Sequence, residues 1–259
     1  MVYLTKGIFK INIMLEQGPN PREELMESIA NSVVYIEKDG TQRLPYYDAI
    51  DTVNDIVAQG KPGGCAEGSG AFLFGRERLI ESGLMPDFSQ KQTEEAARII
   101  MMKERLEGNY FELSRGQASY HPPLKFSQRN IDVHIDELRN PQIKKFLLCT
   151  TGNFPDPSSP TGVVLSGHMI AGIRGDLSNL PIELSGMKPL PGTNDPPYWI
   201  YDANNFGIYQ PRTHTTENIF PSAIPYPQGL RLVRAQSIKN LVRKYSLPEC
   251  GLSLKFFYE

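Results

Sequence analysis

A cysteine that follows two glycines has the surroundings of a nucleophile. Cys65 comes directly after Gly63 and Gly64, and the residues after it predict a helix from about Cys65 to Ile80. The positive end of a helix dipole stabilises a thiolate, which is the attacking form of cysteine. The two glycines leave room for a substrate carbonyl to reach the sulfur. The segment therefore predicts a catalytic thiol, with an ordinary buried cysteine as the alternative.

A second group near this cysteine can stabilise negative charge on a substrate oxygen. Gln59 lies six residues before Cys65, and its side-chain amide can donate a hydrogen bond to a developing oxyanion. The backbone N–H of Cys65 would be the other donor. The spacing predicts that these two groups form an oxyanion hole.

A histidine and an aspartate on two consecutive β-rich runs complete the set. His168 interrupts the apolar run Val163 to Ile173, which predicts a central strand, and the next run, Tyr198 to Asp202, ends in a carboxylate. His168 can take the proton of a thiol, while Asp202 can fix the imidazole tautomer and stabilise the imidazolium. Taken singly, each has a structural explanation, a core histidine or a strand-end turn. Together with Cys65 they predict cysteine-based acyl transfer.

Three further helices and five strands must position these residues. The helices are predicted from Asn20 to the turn at Asp39-Gly40, from Tyr47 to Ala58 and from Thr93 to near Gly108. The apolar stripes of the first two helices are Leu25, Ile29, Val33 and Ile36, and then Ile50, Val53 and Val57. The β-rich runs are Asn109 to Leu113, Lys145 to Thr150, Val163 to Ile173, Tyr198 to Asp202 and Leu252 to Tyr258. Helices early and a mostly antiparallel sheet later predict an α+β fold.

The segment from Leu230 to Lys244 is predicted to be a basic amphipathic helix. It carries Arg231, Arg234, Lys239, Arg243 and Lys244 and no acidic residue. Such a face could meet an acidic partner or an anionic membrane surface. The alternative is the solvated face of a helix that packs on the core.

Composition excludes several classes of protein. Lysine and arginine total 27 against 29 acidic residues, for a net charge of -2, so the basic footprint of a nucleic-acid-binding protein is missing. The three cysteines, Cys65, Cys149 and Cys250, have no C-x-x-C spacing, which argues against a disulfide framework and a structural zinc site. Unpaired thiols suit a reducing compartment. We expect a soluble chain without a signal peptide or transmembrane segment, and one domain over residues 1–259.

Three short motifs resemble the papain-like cysteine peptidases. They are Gly64-Cys65, Ser166-Gly167-His168-Met169-Ile170-Ala171 and Tyr201-Asp202-Ala203-Asn204-Asn205-Phe206-Gly207-Ile208-Tyr209. Within that clan they are most similar to the YopT-type effector peptidases of bacterial pathogens and symbionts. The resemblance implies a papain-like fold, with a helical N-terminal extension over residues 1–58 and a catalytic core over residues 59–259. The nucleophile helix would pack on a mostly antiparallel sheet.

The resemblance also implies roles for the four residues. Cys65 would be the nucleophile, His168 the base, Asp202 the group that orients it, and Gln59 an oxyanion donor. The expected activity is that of a cysteine protease on a host protein, delivered into a host cell as a bacterial effector, with no cofactor and no metal. Deamidation or transamidation of a protein glutamine by the same triad stays open, as does a non-catalytic binding protein.

Overall fold

The fold is known for most of the chain from a computed structural model. It describes residues 20–60, 64–81, 93, 109–114, 136–155, 160, 163–176, 178, 180–187, 195–203, 207–210, 215–218, 223–238 and 253–258. The predicted helix from Thr93 to Gly108 lies outside the described residues except for Thr93, which is helical and buried. None of the described helices combines the length and apolar character needed to cross a membrane.

The first helix is shorter than its apolar stripe predicts. Helix α1 (Pro21–Ser32) begins after Asn20, whose side chain accepts a hydrogen bond from the Arg22 N–H, as its sequence predicts. The prediction that it continues to Asp39 is wrong, because the backbone leaves the helical region at Val33. The chain then enters a hairpin of β1 (Tyr35–Ile36) and β2 (Gln42–Arg43). Ile36 is consequently 65% exposed.

The second helix is predicted at the right place, but the face predicted to be buried differs from the face that is buried. Helix α2 (Pro45–Ala58) buries Tyr46, Ala49, Thr52 and Ile56, which recur at spacings of three and four residues. The predicted stripe placed Val57 on this face, and that assignment is wrong because Val57 is 62% exposed. Successive residues are about 100° apart on a helix, so burial of Ile56 turns Val57 towards solvent.

The predicted helix after Cys65 is divided in two. Helix α3 (Cys65–Phe74) ends at Gly75, and α4 (Arg76–Glu81) follows it. Gly75 has a φ of 82°, a backbone conformation that L side chains rarely adopt, and this breaks the helix. Within α3, all residues except Cys65 and Glu67 are buried. A helix that is apolar on all sides belongs in the interior of the domain, so α3 is the central helix.

A six-stranded antiparallel sheet packs against these helices. The strands after α4 are β3 (Asn109–Ser114), β4 (Lys145–Pro155), β5 (Val163–Arg174), β6 (Pro197–Tyr201), β7 (Gly207–Gln210), β8 (Thr215–Asn218), β9 (Leu230–Arg234) and β10 (Ser253–Tyr258). The sheet order is β3-β10-β4-β5-β6-β9, and β7 and β8 form a separate hairpin. The five predicted strands and the interior position of β5 are confirmed. The described residues thus form a mixed α+β fold.

The predicted basic helix is wrong over its first five residues. Residues 230–234 form β9, which lies at one edge of the sheet, and helical backbone begins only at residue 235. Leu230 and Leu232 alternate into the core opposite Tyr201 and Trp199, and this period of two is that of a strand. Residues 239–244 lie outside the described residues. The described arginines of this segment therefore do not share a helical face.

Substitution of Gly68 tests how closely α3 lies on the sheet. Alanine normally stabilises a helix interior by about 1 kcal/mol relative to glycine. Here an added Cβ would lie 2.8 Å from Tyr201 Cε1 and 2.9 Å from Val53 Cγ2. We expect Gly68→Ala to lower the free energy of unfolding in urea by about 1–3 kcal/mol. Gly186→Ala, which meets nothing within 4 Å, is the control. A Gly68→Ala variant as stable as wild type would contradict this close packing.

Candidate active site

Cys65 is the first residue of α3, and a glycine turn brings the chain into the helix there. Gly64 has a φ of 120°, and a Cβ at Gly64 would lie 3.3 Å from Val53 Cγ1. A larger residue would therefore be both strained and crowded. The first four N–H groups of a helix have no acceptor within the helix, so the Cys65 N–H lies at a terminus that attracts negative charge. Cys65 is half-buried, which leaves its thiol partly accessible.

Two contacts join α3 to the strands that carry the other predicted residues. The Ser69 hydroxyl donates to the Met169 carbonyl at 3.1 Å, and Met169 follows His168 on β5. The Phe72 ring stacks on the Tyr201 ring with centroids 5.5 Å apart, and Tyr201 precedes Asp202. Each strand is therefore attached to the nucleophile helix one residue away from the predicted catalytic side chain.

An arginine holds the opposite end of the same helix. The Arg43 guanidinium donates to the carbonyls of residues 71, 72 and 73 at 3.3, 3.0 and 2.8 Å. It also forms ion pairs with Glu37 at 3.0 Å and Asp48 at 2.8 Å. A cation at a helix C-terminus satisfies terminal carbonyls and the negative end of the dipole. Arg43 thus fixes α3 from a segment that precedes it by more than twenty residues.

His168 and Asp202 form a buried ion pair. His168 Nε2 lies 2.9 Å from Asp202 Oδ1, and the Asp202 side chain is fully buried. The backbone N–H of Asp202 donates to the Gly229 carbonyl at 2.7 Å. The carboxylate is therefore held from its own backbone while it faces the ring.

The environment of His168 favours the imidazolium form. Burial of the ring lowers its pKa, but the charge and hydrogen bond of Asp202 and the hydrogen bond and charge of Cys65 outweigh burial and raise the pKa to about 10. The ring therefore carries a proton at neutral pH. Cys65 is within hydrogen-bonding reach of the ring, and because Nε2 faces Asp202, Nδ1 is the nitrogen that can serve the sulfur. His168 lies between a thiol and a carboxylate.

Gln59, the fourth predicted residue, lies at the end of the helix that precedes Cys65. It caps the C-terminal end of α2, where its backbone N–H donates to the Asp55 and Ile56 carbonyls at 3.1 and 3.2 Å. Its side chain is exposed. The structure thus brings Cys65, His168 and Asp202 together, and the oxyanion role of Gln59 stays a prediction.

Tyr201 belongs to the site although it was not among the predicted site residues. It is buried beneath α3, and a Cβ at Gly68 would lie 3.0 Å from its hydroxyl. Burial, with the charges of Tyr46, Asp202 and Cys65, raises the pKa of Tyr201, so its hydroxyl stays neutral. In the sequence it is one aromatic residue in an apolar run. Its position directly before Asp202 was the available signal.

Two acidic side chains of α2, those of Asp48 and Asp55, have cationic partners. Asp48 pairs with Arg43, and Asp55 pairs with Arg76. Among the residues that the structure describes, no group of three or more His, Cys, Asp or Glu side chains is arranged to hold a metal ion.

Comparison of this chain with known protein families, with curated proteins and with solved structures finds no match. The chemistry of the site therefore has to be argued from the geometry of Cys65, His168 and Asp202.

Proposed function

We propose that this protein is a thiol hydrolase or acyl transferase of the papain-like type, acting as a cysteine protease on a protein substrate. The observation that carries this proposal is the position of His168 between Cys65, at the start of a helix, and the buried carboxylate of Asp202. A nucleophile, a base and a group that orients the base are the components of a catalytic triad. They come here from a helix, a strand and the end of the next strand.

The reaction follows from these three groups. The Cys65 thiolate attacks the carbonyl carbon of an amide, and the proton of the thiol is held on His168. The tetrahedral oxyanion accepts a hydrogen bond from the Cys65 N–H, and the predicted second donor is the Gln59 side-chain amide. His168 then gives its proton to the leaving amine, and the C–N bond breaks to leave a thioester. Water, deprotonated by His168, attacks the thioester and releases the acid and the free thiol.

The buried carboxylate of Asp202 keeps His168 protonated, so that His168 can act as the acid of this reaction. Because Asp202 raises the pKa of His168, the ring still holds a proton at neutral pH when the amine has to leave. An amine is a poor leaving group unless it is protonated, so this proton matters most in the first half of the reaction. Asp202 also holds the ring by its Nε2 atom, which leaves Nδ1 for the thiol.

The packing around α3 supports the papain-like arrangement. The nucleophile helix lies against an antiparallel sheet, and the strands that hold His168 and the residue before Asp202 are neighbours in it. Ala171 pairs with Tyr201, so β6 stops, and Asp202 follows, beside the part of β5 that carries His168. A host-cell protein as substrate follows from the resemblance of the three motifs to the YopT-type effector peptidases.

A peptide library tests the activity without knowledge of the substrate. We expect the wild-type protein to produce new peptide termini in a proteome-derived library, measured by mass spectrometry, and Cys65→Ala to produce none. Each alternative leaves a different product in the same experiment. A glutamine deamidase produces the mass gain of deamidation, and a transglutaminase joins an added amine to a glutamine.

The control variant is Cys149→Ala, which removes a thiol that is buried on β4. It should retain the activity of the wild-type protein when its thermal unfolding shows that it is folded. If wild type and Cys65→Ala leave the library equally unchanged, the enzymatic proposal is overturned and a binding function is favoured.

A further inference from the structure

A small basic cavity lies beside the segment that contacts Asp202. Its volume is about 350 Å³. It is lined by Arg22, Ala223, Ile224, Pro225, Tyr226 and Arg231. These described lining residues carry two positive charges and no acidic side chain. A cavity of this size, at the small end of ligand sites, has room for one side chain or a small anion.

Arg231 forms the wall of the cavity and is held in place there. Its guanidinium lies over the Tyr226 ring, 5.0 Å from the ring centroid, and Nη1 donates to the Leu230 carbonyl at 2.7 Å. The residue is partly buried, and this burial lowers its pKa although Tyr226 opposes the shift. A cation that has lost part of its water is stabilised by an anion more than an exposed one is.

Arg22 reaches the same cavity from a different element. It lies in the first turn of α1, where its backbone N–H donates to Asn20 Oδ1 at 3.1 Å. Its side chain is exposed. Two arginines from α1 and from β9 therefore face one space, and a planar guanidinium fork fits a carboxylate with two hydrogen bonds.

The cavity lies next to the end of β6, where the chain leads into Asp202. The Gly229 carbonyl accepts a hydrogen bond from the Asp202 N–H at 2.7 Å. A Cβ at Gly229 would lie 2.8 Å from the backbone carbonyl oxygen of Asp202. Leu230 pairs with Tyr201, so β9 starts at the end of the sheet where β6 stops. Tyr226 is three residues before Gly229, and Arg231 is two residues after it. The cavity thus adjoins the backbone that carries Asp202.

We propose that this cavity is a substrate subsite that binds the carboxylate of an acidic residue in the substrate peptide, through Arg231 and Arg22. The ligand identity rests on the proposed function, whereas the preference for an anion rests on the two arginines. The proposal predicts that the protein selects an aspartate or glutamate at one fixed distance from the bond it attacks.

Binding is measured first, with turnover prevented. Cys65→Ala protein is titrated with N-acetylglutamate amide, N-acetylglutamine amide and inorganic phosphate, followed by NMR. We expect saturable binding of the glutamate compound and a loss of affinity of about tenfold or more in Arg231→Gln. The exposed Arg22→Gln should weaken binding in the same direction. Arg234→Gln is the matched control, since Arg234 lies on the same strand and donates to Gly186 outside the cavity.

Selectivity is measured second, in the peptide library with active protein. An acidic residue enriched at one position, and lost in Arg231→Gln or Arg22→Gln but not in Arg234→Gln, supports the subsite. If the glutamate compound binds through the arginines but no turnover is found, the anion site is supported and the proposed enzymatic activity is overturned. Three results overturn the subsite and leave the proposed enzyme standing. They are turnover without enrichment of an acidic residue, no saturable binding of the glutamate compound, and binding of phosphate alone.

Discussion

Replacing His168 with alanine is expected to lower Cys65-dependent turnover of the peptide library about 10⁴-fold or more. The variant loses both the group that accepts the thiol proton and the group that protonates the leaving amine. It also loses the positive charge beside the sulfur, so alkylation of Cys65 by iodoacetamide at neutral pH should slow by about tenfold or more. The alkylation rate is measured by mass spectrometry of the Cys65 peptide.

The second cysteine provides an internal control for this measurement. Cys149 is 1% exposed in the folded chain, so it should react only when the protein unfolds. Slow labelling of Cys149 in His168→Ala shows that the variant is folded, and His168→Gln offers a polar replacement of closer size if it is not. A folded variant whose Cys65 reacts at the wild-type rate would contradict activation of the thiol by His168.

The strands of the site could be predicted because their sequences are β-rich over several residues. The run that contains His168 and the run that ends in Asp202 form β5 and β6, and the glycine turn before Cys65 leads into α3. The distances between these residues could not be predicted. They depend on the pairing of Ala171 with Tyr201 and on the contact of Ser69 with Met169, which join segments distant in the chain.

The wrong predictions have a common physical cause. Arg231 and Arg234 are three residues apart, as on a helical face, whereas Leu230 and Leu232 alternate as in a strand, and pairing with β6 decides for the strand. Val57 and Ile36 are apolar residues at helical spacing that the tertiary packing leaves in solvent. The contact of Arg43 with α3 had no local signal because the groups of α3 that it binds are main-chain carbonyls.

Loss of the Asp202 charge should change how the stability of the protein depends on pH. The pKa of His168 is raised from its ordinary value of 6.5 to about 10. The folded protein therefore keeps a proton that the unfolded chain releases above about pH 6.5. This contribution to stability is fully present below about pH 6.5 and is lost as the pH rises towards 10. We expect the free energy of unfolding in urea to fall across this window by at most about 1.4 kcal/mol per pH unit.

The Asp202→Asn variant keeps the size of the side chain and removes its charge. Because Asp202 is the main cause that raises the pKa of His168, the asparagine variant should show a much flatter dependence between pH 6.5 and about pH 9.5. Asp176→Asn is the control, since Asp176 is exposed and accepts hydrogen bonds from Ser178, so its slope should equal that of wild type. The buried tyrosines titrate in the unfolded chain near pH 10 and contribute little below it.

The pH dependence of turnover should also depend on the proton of His168. His168 must be protonated to release the amine, so the alkaline limb of turnover should lie well above neutral pH in the wild-type protein and move to lower pH in Asp202→Asn. A structural role for the pair would change stability alone and leave the alkaline limb in place. If Asp202→Asn changes neither the slope of stability nor the position of this limb, Asp202 does not govern the protonation of His168, and the triad assignment fails at its third member.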